Sequence, residues 1–439
     1  MLQLTFLSLF ISTPFLIISL LKIAGEKTNK ISIVNITVLS LYIFSIVGTF
    51  PLFFMLDEYR ISTGVTDEKI VFLTLFCSII NLISFLLGII FVRRILGLKP
   101  YPFASSQISN LSDRSNFAAI CMFAVVVLTL LIYISKLESI AIFSVFMGEM
   151  QDLSLQRSNM GNNFDSGNYH WYSMILHKIG FLLTLNFYAA YLIKKTKSNM
   201  VFLISSILLS SFIAVMAIEK APFIELLLAL VMIRCCVKSN AIISIRSILI
   251  TIFVSLSILV VLYIFFRGSL SISAALSAIF SRAFSGSISP AYFYLNYFPN
   301  VHEYLFFKSF PNPGGFLPFT PVRYTVDVMN WVIPEVLNSS VVGTMPTVFW
   351  GEAFANFGFI GIPVVGCIMG IIVAFFSYLY SKLELNSMTV SFYIFSVFHY
   401  KALSVTGFSG FLIDFYFLCA FLVLLVVLFS NGKIRLRKG

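Results

Sequence analysis

The sequence predicts an all-α polytopic integral membrane protein forming a single transmembrane domain over 1–439, and three observations predict it. Apolar runs of about 20 residues, each long enough to cross a bilayer as a helix, recur along the whole chain. Hydrophobic residues make up 59% and charged residues only 11%, with a mean hydropathy of +0.98. A soluble protein of 439 residues needs far more charge than this. The third observation is that basic residues fall on alternate connections between the runs.

Taken in order, the runs give about eleven transmembrane helices, near 4–22, 32–55, 70–92, 116–134, 172–193, 199–217, 222–237, 247–266, 353–380, 388–405 and 411–430. The first lacks a basic leader and a small-residue cleavage site, so it is expected to be a retained helix rather than a signal peptide. One set of alternate connections is 22–31, 93–115, 194–198, 234–246, 382–387 and the tail after 431. It holds 18 basic residues against three acids, Glu26, Asp113 and Glu384. Everything else holds 11 basic residues and 15 acids. The positive-inside rule then puts the C-terminus in the cytoplasm and the N-terminus outside. The net charge of +11 is thereby a topology signal aided by anionic lipid and needs no nucleic-acid partner.

The cysteines, Cys77, Cys121, Cys235, Cys236, Cys367 and Cys419, all lie in or beside apolar runs, where small buried hydrophobes are expected rather than disulfides or thiolate ligands. The four histidines form no HxxxH or HExxH pair, so no metal site is expected. No phosphate-binding loop or dinucleotide fingerprint is present, and short cytoplasmic connections leave no room for a nucleotide domain. The absence of an internal repeat weakens an inverted-repeat transporter.

Two outer loops are too long to be connectors, 136–172 and 267–350. The second opens with RGSLSISAALSAIFSRAFSG, in which serines recur every fourth residue from Ser269 to Ser289. That period draws a drifting polar stripe and predicts an amphipathic helix near 268–286 lying on the outer membrane surface or dipping partly in, ended by Pro290. Arg267 and Arg282, about four turns apart, would share a side of it. Two guanidiniums at one cleft suit a phosphate or pyrophosphate; the alternative is that both reach lipid headgroups. Tyr292, Phe293, Tyr294 and Tyr297 are expected to line a groove or to anchor at the interface. Lys401 and Asp414 are expected to pair as a structural lock.

The stretch MPTVFWGEAFANFGFIGIPVVGCIMG, Met345–Gly370, carries a single carboxylate, Glu352. With Trp350 in the interfacial aromatic belt, Glu352 should sit at the helix N-terminus, where the dipole favours negative charge. Asn356 shares its face. Gly358, Gly361, Gly366 and Gly370 should admit close helix neighbours. Glu352 is then a general base, or a helix cap or arginine partner.

PTVFWGEAFANFGFIG after a long outer loop, the spaced arginines of RGSLSISAALSAIFSRAFSG, and AIEKAPFIELLLALVM with Lys220 together resemble the O-antigen polymerases, the Wzy-type polymerases of oligosaccharide repeat units. The motif-level likeness covers about 205–365. The resemblance implies a membrane glycosyltransferase of GT-C-like architecture in the bacterial inner membrane, with its active site facing the periplasm. Its substrate would be undecaprenyl-pyrophosphate-linked oligosaccharide, with no cofactor and no metal, and its partners membrane lipid, a chain-length regulator and a flippase. Arg267 and Arg282 would be catalytic, holding the pyrophosphate and stabilising the leaving group. Glu352, or His302, would accept the proton. Lys220, Arg323, His302, Tyr324 and Asn356 are the substrate-binding candidates. A ligase of the same superfamily and a transporter or flippase of lipid-linked oligosaccharide are the competing readings.

Overall fold

The computed structural model describes residues 1–100, 103–148, 153–161, 164, 169–267, 271–338, 342–430, 432 and 436–437. Among them no strand forms, only isolated bridges. Nine of the described helices are long and apolar enough to cross a membrane: Leu2–Ile23, Ile33–Phe53, Glu68–Ile95, Asp113–Ser135, Tyr169–Ile193, Lys197–Val215, Ile245–Phe266, Phe349–Ser381 and Phe408–Phe429. The protein is a multi-pass, all-α membrane protein.

Nine of the eleven expected spans pass this test of length and composition among the described residues. Two expected spans form helices that fail the test, Ala221–Lys238 and Ser387–Lys401. The first carries Glu225, Arg234 and Lys238, and the second has only 15 residues. Ser387–Lys401 packs against Ile33–Leu41, Gly180–Ile193 and Ala221–Lys238. Most of its side chains are buried, so it meets protein rather than lipid and need not match the bilayer thickness.

The basic connections meet at one end of the bundle. Lys30 bridges Ile242, Ser109 bridges Asn386 and Leu383 bridges Leu436. The Ile31 N–H donates to the Ala241 carbonyl at 2.8 Å, and the Arg437 N–H to that of Lys382 at 2.8 Å. Arg93 pairs with Glu26 at 2.7 Å, the two side chains 2% and 9% exposed. Arg94 ties the same end by donating to the Ile23 carbonyl at 2.7 Å. All six cysteines are unbridged; Cys77, Cys235 and Cys236 are buried, while Cys121 is exposed, contrary to the burial expected of it.

The helix Phe349–Ser381 is not straight. At Gly358 the backbone takes φ 64°, ψ −156°, a conformation open essentially to glycine alone. A Cβ on Gly361 would stand 3.0 Å from the carbonyl carbon of Ala353. A straight helix would put residues eight apart about 12 Å from each other. Phe85 gives the same answer from outside. Its ring lies 6.3 Å from that of Phe349, while its Cα would be 3.1 Å from a Cβ on Gly370. The chain therefore doubles back, a short arm 349–357 lying against a long arm 359–381. The long arm alone is about 34 Å, enough to span. Gly366 and Gly370 admit the Glu68–Ile95 helix at backbone contact, as their spacing predicts. Trp350, on the short arm, is 0% exposed. It belongs to the core and not to the aromatic belt, because the reversal turns this arm inward.

The serine-rich segment also departs from expectation. Its helix runs through Ile272–Phe280, a π turn Ser281–Ser285 and Gly286–Tyr297. Pro290 lies inside it. The carbonyl its ring would oppose is that of Gly286, four residues back and next to the π turn, where the ladder is already offset. The first part is exposed along Ser273 and Ser277. The second part is buried, Ser285 and Ser289 included, so the segment is a surface helix only at its start. Tyr292, Phe293, Tyr294 and Tyr297 are buried too and are not interfacial anchors; Phe293 also lines a cavity. By contrast, Ile245–Arg267 is largely exposed, with Leu249, Phe253 and Val261 facing outward. It packs on Ala221–Lys238 and Ile272–Phe280.

Close glycine contact predicts a clear asymmetry. Gly370→Leu should cost roughly 1–3 kcal/mol by overpacking against Phe85, while Gly410→Ala, with nothing within 4 Å of its Cβ, should be silent. Thermal unfolding of the two purified variants beside wild type measures this.

Candidate functional site

Two groups of candidate residues come together, in two places. The first surrounds Glu352, whose side chain is 0% exposed. The Ser409 N–H donates to it at 3.0 Å, and the Ser409 hydroxyl donates to its other oxygen. The hydroxyls of Ser309 and Tyr324 complete the set. Asn356, one turn on, donates to the Glu352 carbonyl and to Ser309 Oγ, both at 2.9 Å, and accepts from the Phe307 N–H at 2.9 Å. Burial, and next the Glu352 charge, push the Tyr324 phenol well above its ordinary value.

Glu352, Asn356 and Tyr324 thus form one hydrogen-bonded cluster joining the short arm, the 298–348 loop and the turn at Gly407–Ser409. Among the described residues no arginine or lysine pairs with Glu352, so the expected arginine partner is replaced by hydroxyls. Nor does Glu352 sit at the mouth of a spanning helix, since the reversal at Gly358 places it on the short arm.

The second place is an open cavity of about 1540 Å³ between the 56–63 segment, the 274–290 helix and the 329–346 part of the loop. Phe10, Val47, Phe50, Phe280, Phe284 and Phe293 give it apolar walls. Phe10 lies within the Leu2–Ile23 helix, so the cavity reaches below the level of the loops. Arg282 lines it, and so does Arg60, which the sequence reading missed. Arg60 lies on the five-residue helix Glu58–Ser62, capped by the Asp57 side chain.

The Arg60 Nε is buried without a partner, and its guanidinium lies against Gly286, where any Cβ would collide with it. Burial lowers its pKa below the usual arginine value; Asp57 and Tyr59 oppose this and Arg282 adds to it. Two cations thus share this cavity with the carboxylates of Asp57 and Glu58, and an unpaired guanidinium donor is chemistry that can take an anion.

The remaining candidates lie apart. Arg267 ends Ile245–Arg267, its side chain outside the described residues. The next three residues are also outside, and Ile272–Phe280 packs back against the same helix, so Arg267 and Arg282 do not share one helix face. Lys220 sits over the Tyr263 ring at 4.4 Å and over Phe266 at 5.1 Å. Arg323 is exposed at the start of Tyr324–Val332. His302 Nδ1 bonds the Glu303 carbonyl at 2.6 Å. The Lys401–Asp414 pair is corrected: Lys401 pairs with Glu225 at 2.6 Å, and Asp414 with His399 at 3.2 Å. Among the described residues no cluster suited to a metal ion occurs.

No family model, curated protein or solved structure matches this chain.

The two places should separate by mutation. Glu352→Ala strands buried donors and should cost about 2–5 kcal/mol, whereas Arg282→Ala, at an exposed side chain, should stay within about 0.5 kcal/mol. Thermal unfolding of both in detergent decides it; equal losses would contradict the division.

Proposed function

We propose that this protein is a glycosyltransferase that polymerises undecaprenyl-pyrophosphate-linked oligosaccharide repeat units at the outer face of a bacterial inner membrane. The observation carrying this reading is the cavity that joins apolar walls to the guanidiniums of Arg60 and Arg282. An anionic headgroup on a long apolar tail is the ligand such a cavity suits. Arg60 and Arg282 take the pyrophosphate, replacing the pair Arg267 and Arg282.

In the proposed step the hydroxyl of one repeat unit attacks the anomeric carbon of the other. The new C–O bond forms as the bond from that carbon to the phosphate oxygen breaks. The pyrophosphate leaves with the electron pair, and the two guanidiniums stabilise its charge. The hydroxyl proton needs an acceptor. Glu352 is enclosed, so the proposed acceptor is Glu58, which is exposed and lines the cavity.

One observation favours the transport reading: Glu225–Lys401 and His399–Asp414 place ionisable pairs on neighbouring helices. A gel of surface glycan from cells with wild type, a deletion, Arg60→Ala or Arg282→Ala separates the readings. The polymerase reading expects a ladder in wild type and a single lipid-linked repeat in the deletion. Each arginine variant should then lower the ladder about 10²-fold or more. A deletion that keeps a lipid-linked ladder but loses transfer to the final acceptor means a ligase. Glycan trapped inside the cell means transport.

A further inference from the structure

The cavity contains a second buried group that the anion does not use. Asp57 is 9% exposed and lines the cavity. One of its carboxylate oxygens, Oδ1, accepts from the Arg60 N–H at 3.3 Å and caps the Glu58–Ser62 helix. The other, Oδ2, is buried without a hydrogen-bond partner. Three residues on, the Arg60 Nε is likewise buried and unpartnered. Side chains at this spacing on a helical turn are neighbours. Yet the pair makes no ion pair with each other among the described residues.

A buried acceptor left unsatisfied costs about 1–3 kcal/mol, and more when charged. Two such groups of opposite hydrogen-bonding sense, side by side in an open cavity, define what would satisfy both. The ligand must bring an oxygen acceptor to Arg60 and a hydroxyl donor to Asp57. A bare phosphate dianion offers only acceptors, and its charge is repelled by Asp57. A glycosyl phosphate such as glucosyl phosphate offers both, because the sugar carries a hydroxyl on the carbon next to its phosphate-bearing carbon. Tyr59 adds to this setting. It is 61% exposed, lines the cavity, and carries Arg60 over its ring at 4.9 Å.

We propose that Asp57 Oδ2 accepts a hydrogen bond from a hydroxyl of the sugar attached directly to the phosphate, so that the 57–60 turn selects glycosylated prenyl phosphates over bare ones. This rests on the reading of the cavity as a prenyl-phosphate site. Asp57 is a specificity residue: it holds the sugar and takes no part in bond exchange.

Purified protein in lipid nanodiscs tests it by direct binding of two probes, farnesyl phosphate and glucosyl farnesyl phosphate. Wild type should prefer the glucosylated probe by about tenfold or more, the value of one hydrogen bond to a charged group. Asp57→Ser keeps a capping oxygen and removes Oδ2. It should weaken the glucosylated probe and abolish that preference, while farnesyl phosphate, no longer facing the Asp57 charge, binds at least as tightly as to wild type. Arg60→Ala should weaken both probes. If wild type binds farnesyl phosphate but shows no preference, the sugar contact is overturned while the cavity reading stands. The sugar contact is overturned in the same way if the preference survives in Asp57→Ser, or if that variant loses both probes equally and Asp57 only positions Arg60. If wild type binds neither probe, the cavity reading itself falls.

Discussion

A carboxylate with no cation beside it among the described residues holds three separate parts of this chain together. Glu352 accepts from the Ser409 backbone and from the hydroxyls of Ser409, Ser309 and Tyr324. A buried charge is tolerated only when its oxygens are satisfied, and here the donors come from segments far apart in sequence. The loop and the Gly407–Ser409 turn are fixed to the short arm by that demand. The short arm in turn exists because the backbone reverses at Gly358. Tyr294 extends the join by donating to the Met345 carbonyl at 3.1 Å, and Met345 is already part of the cavity wall. The shape of the cavity thus rests on the Glu352 cluster without that residue entering it.

The fold class was legible because bilayer thickness imposes a length on every spanning helix, and apolar runs of that length are visible in composition. The grouping of basic connections was legible for a related reason. Residues such as Arg93, Lys30 and Arg437 share one end of the bundle, and their clustering needs only correct alternation. The reversal was not legible. An apolar run shows its length but not its direction, and FANFGFIGIP reads equally well as a straight helix until the φ of Gly358 is known. Glu352 was consequently placed one structural level too far out. The proline rule failed for the same kind of reason, since a π turn five residues upstream is a tertiary outcome.

The candidate site was half legible. Arg282 stood out because it interrupts a serine stripe in a long loop, and long loops attract attention. Arg60 sits in a connection of ordinary length between two spans, where its charge looks like a loop residue's. Only packing against Gly286, more than 220 positions later, brings it beside Arg282. Ser309 and Ser409 carry no chemical signal at all in sequence. They become identifiable once their hydroxyls are seen to converge on one acid.

The exposed helix Ile245–Arg267 has a consequence of a different kind. Tyr263 and the Ile272–Phe280 segment packed on that helix form one side of the cavity, yet the outward surface of the helix touches no other described part of the protein. Surrounding lipid is what presses it home. The width of the cavity is therefore partly a property of the solvent, set by lateral pressure and acyl-chain order. In a detergent micelle, which supplies neither, the cavity is the part of the fold expected to change first.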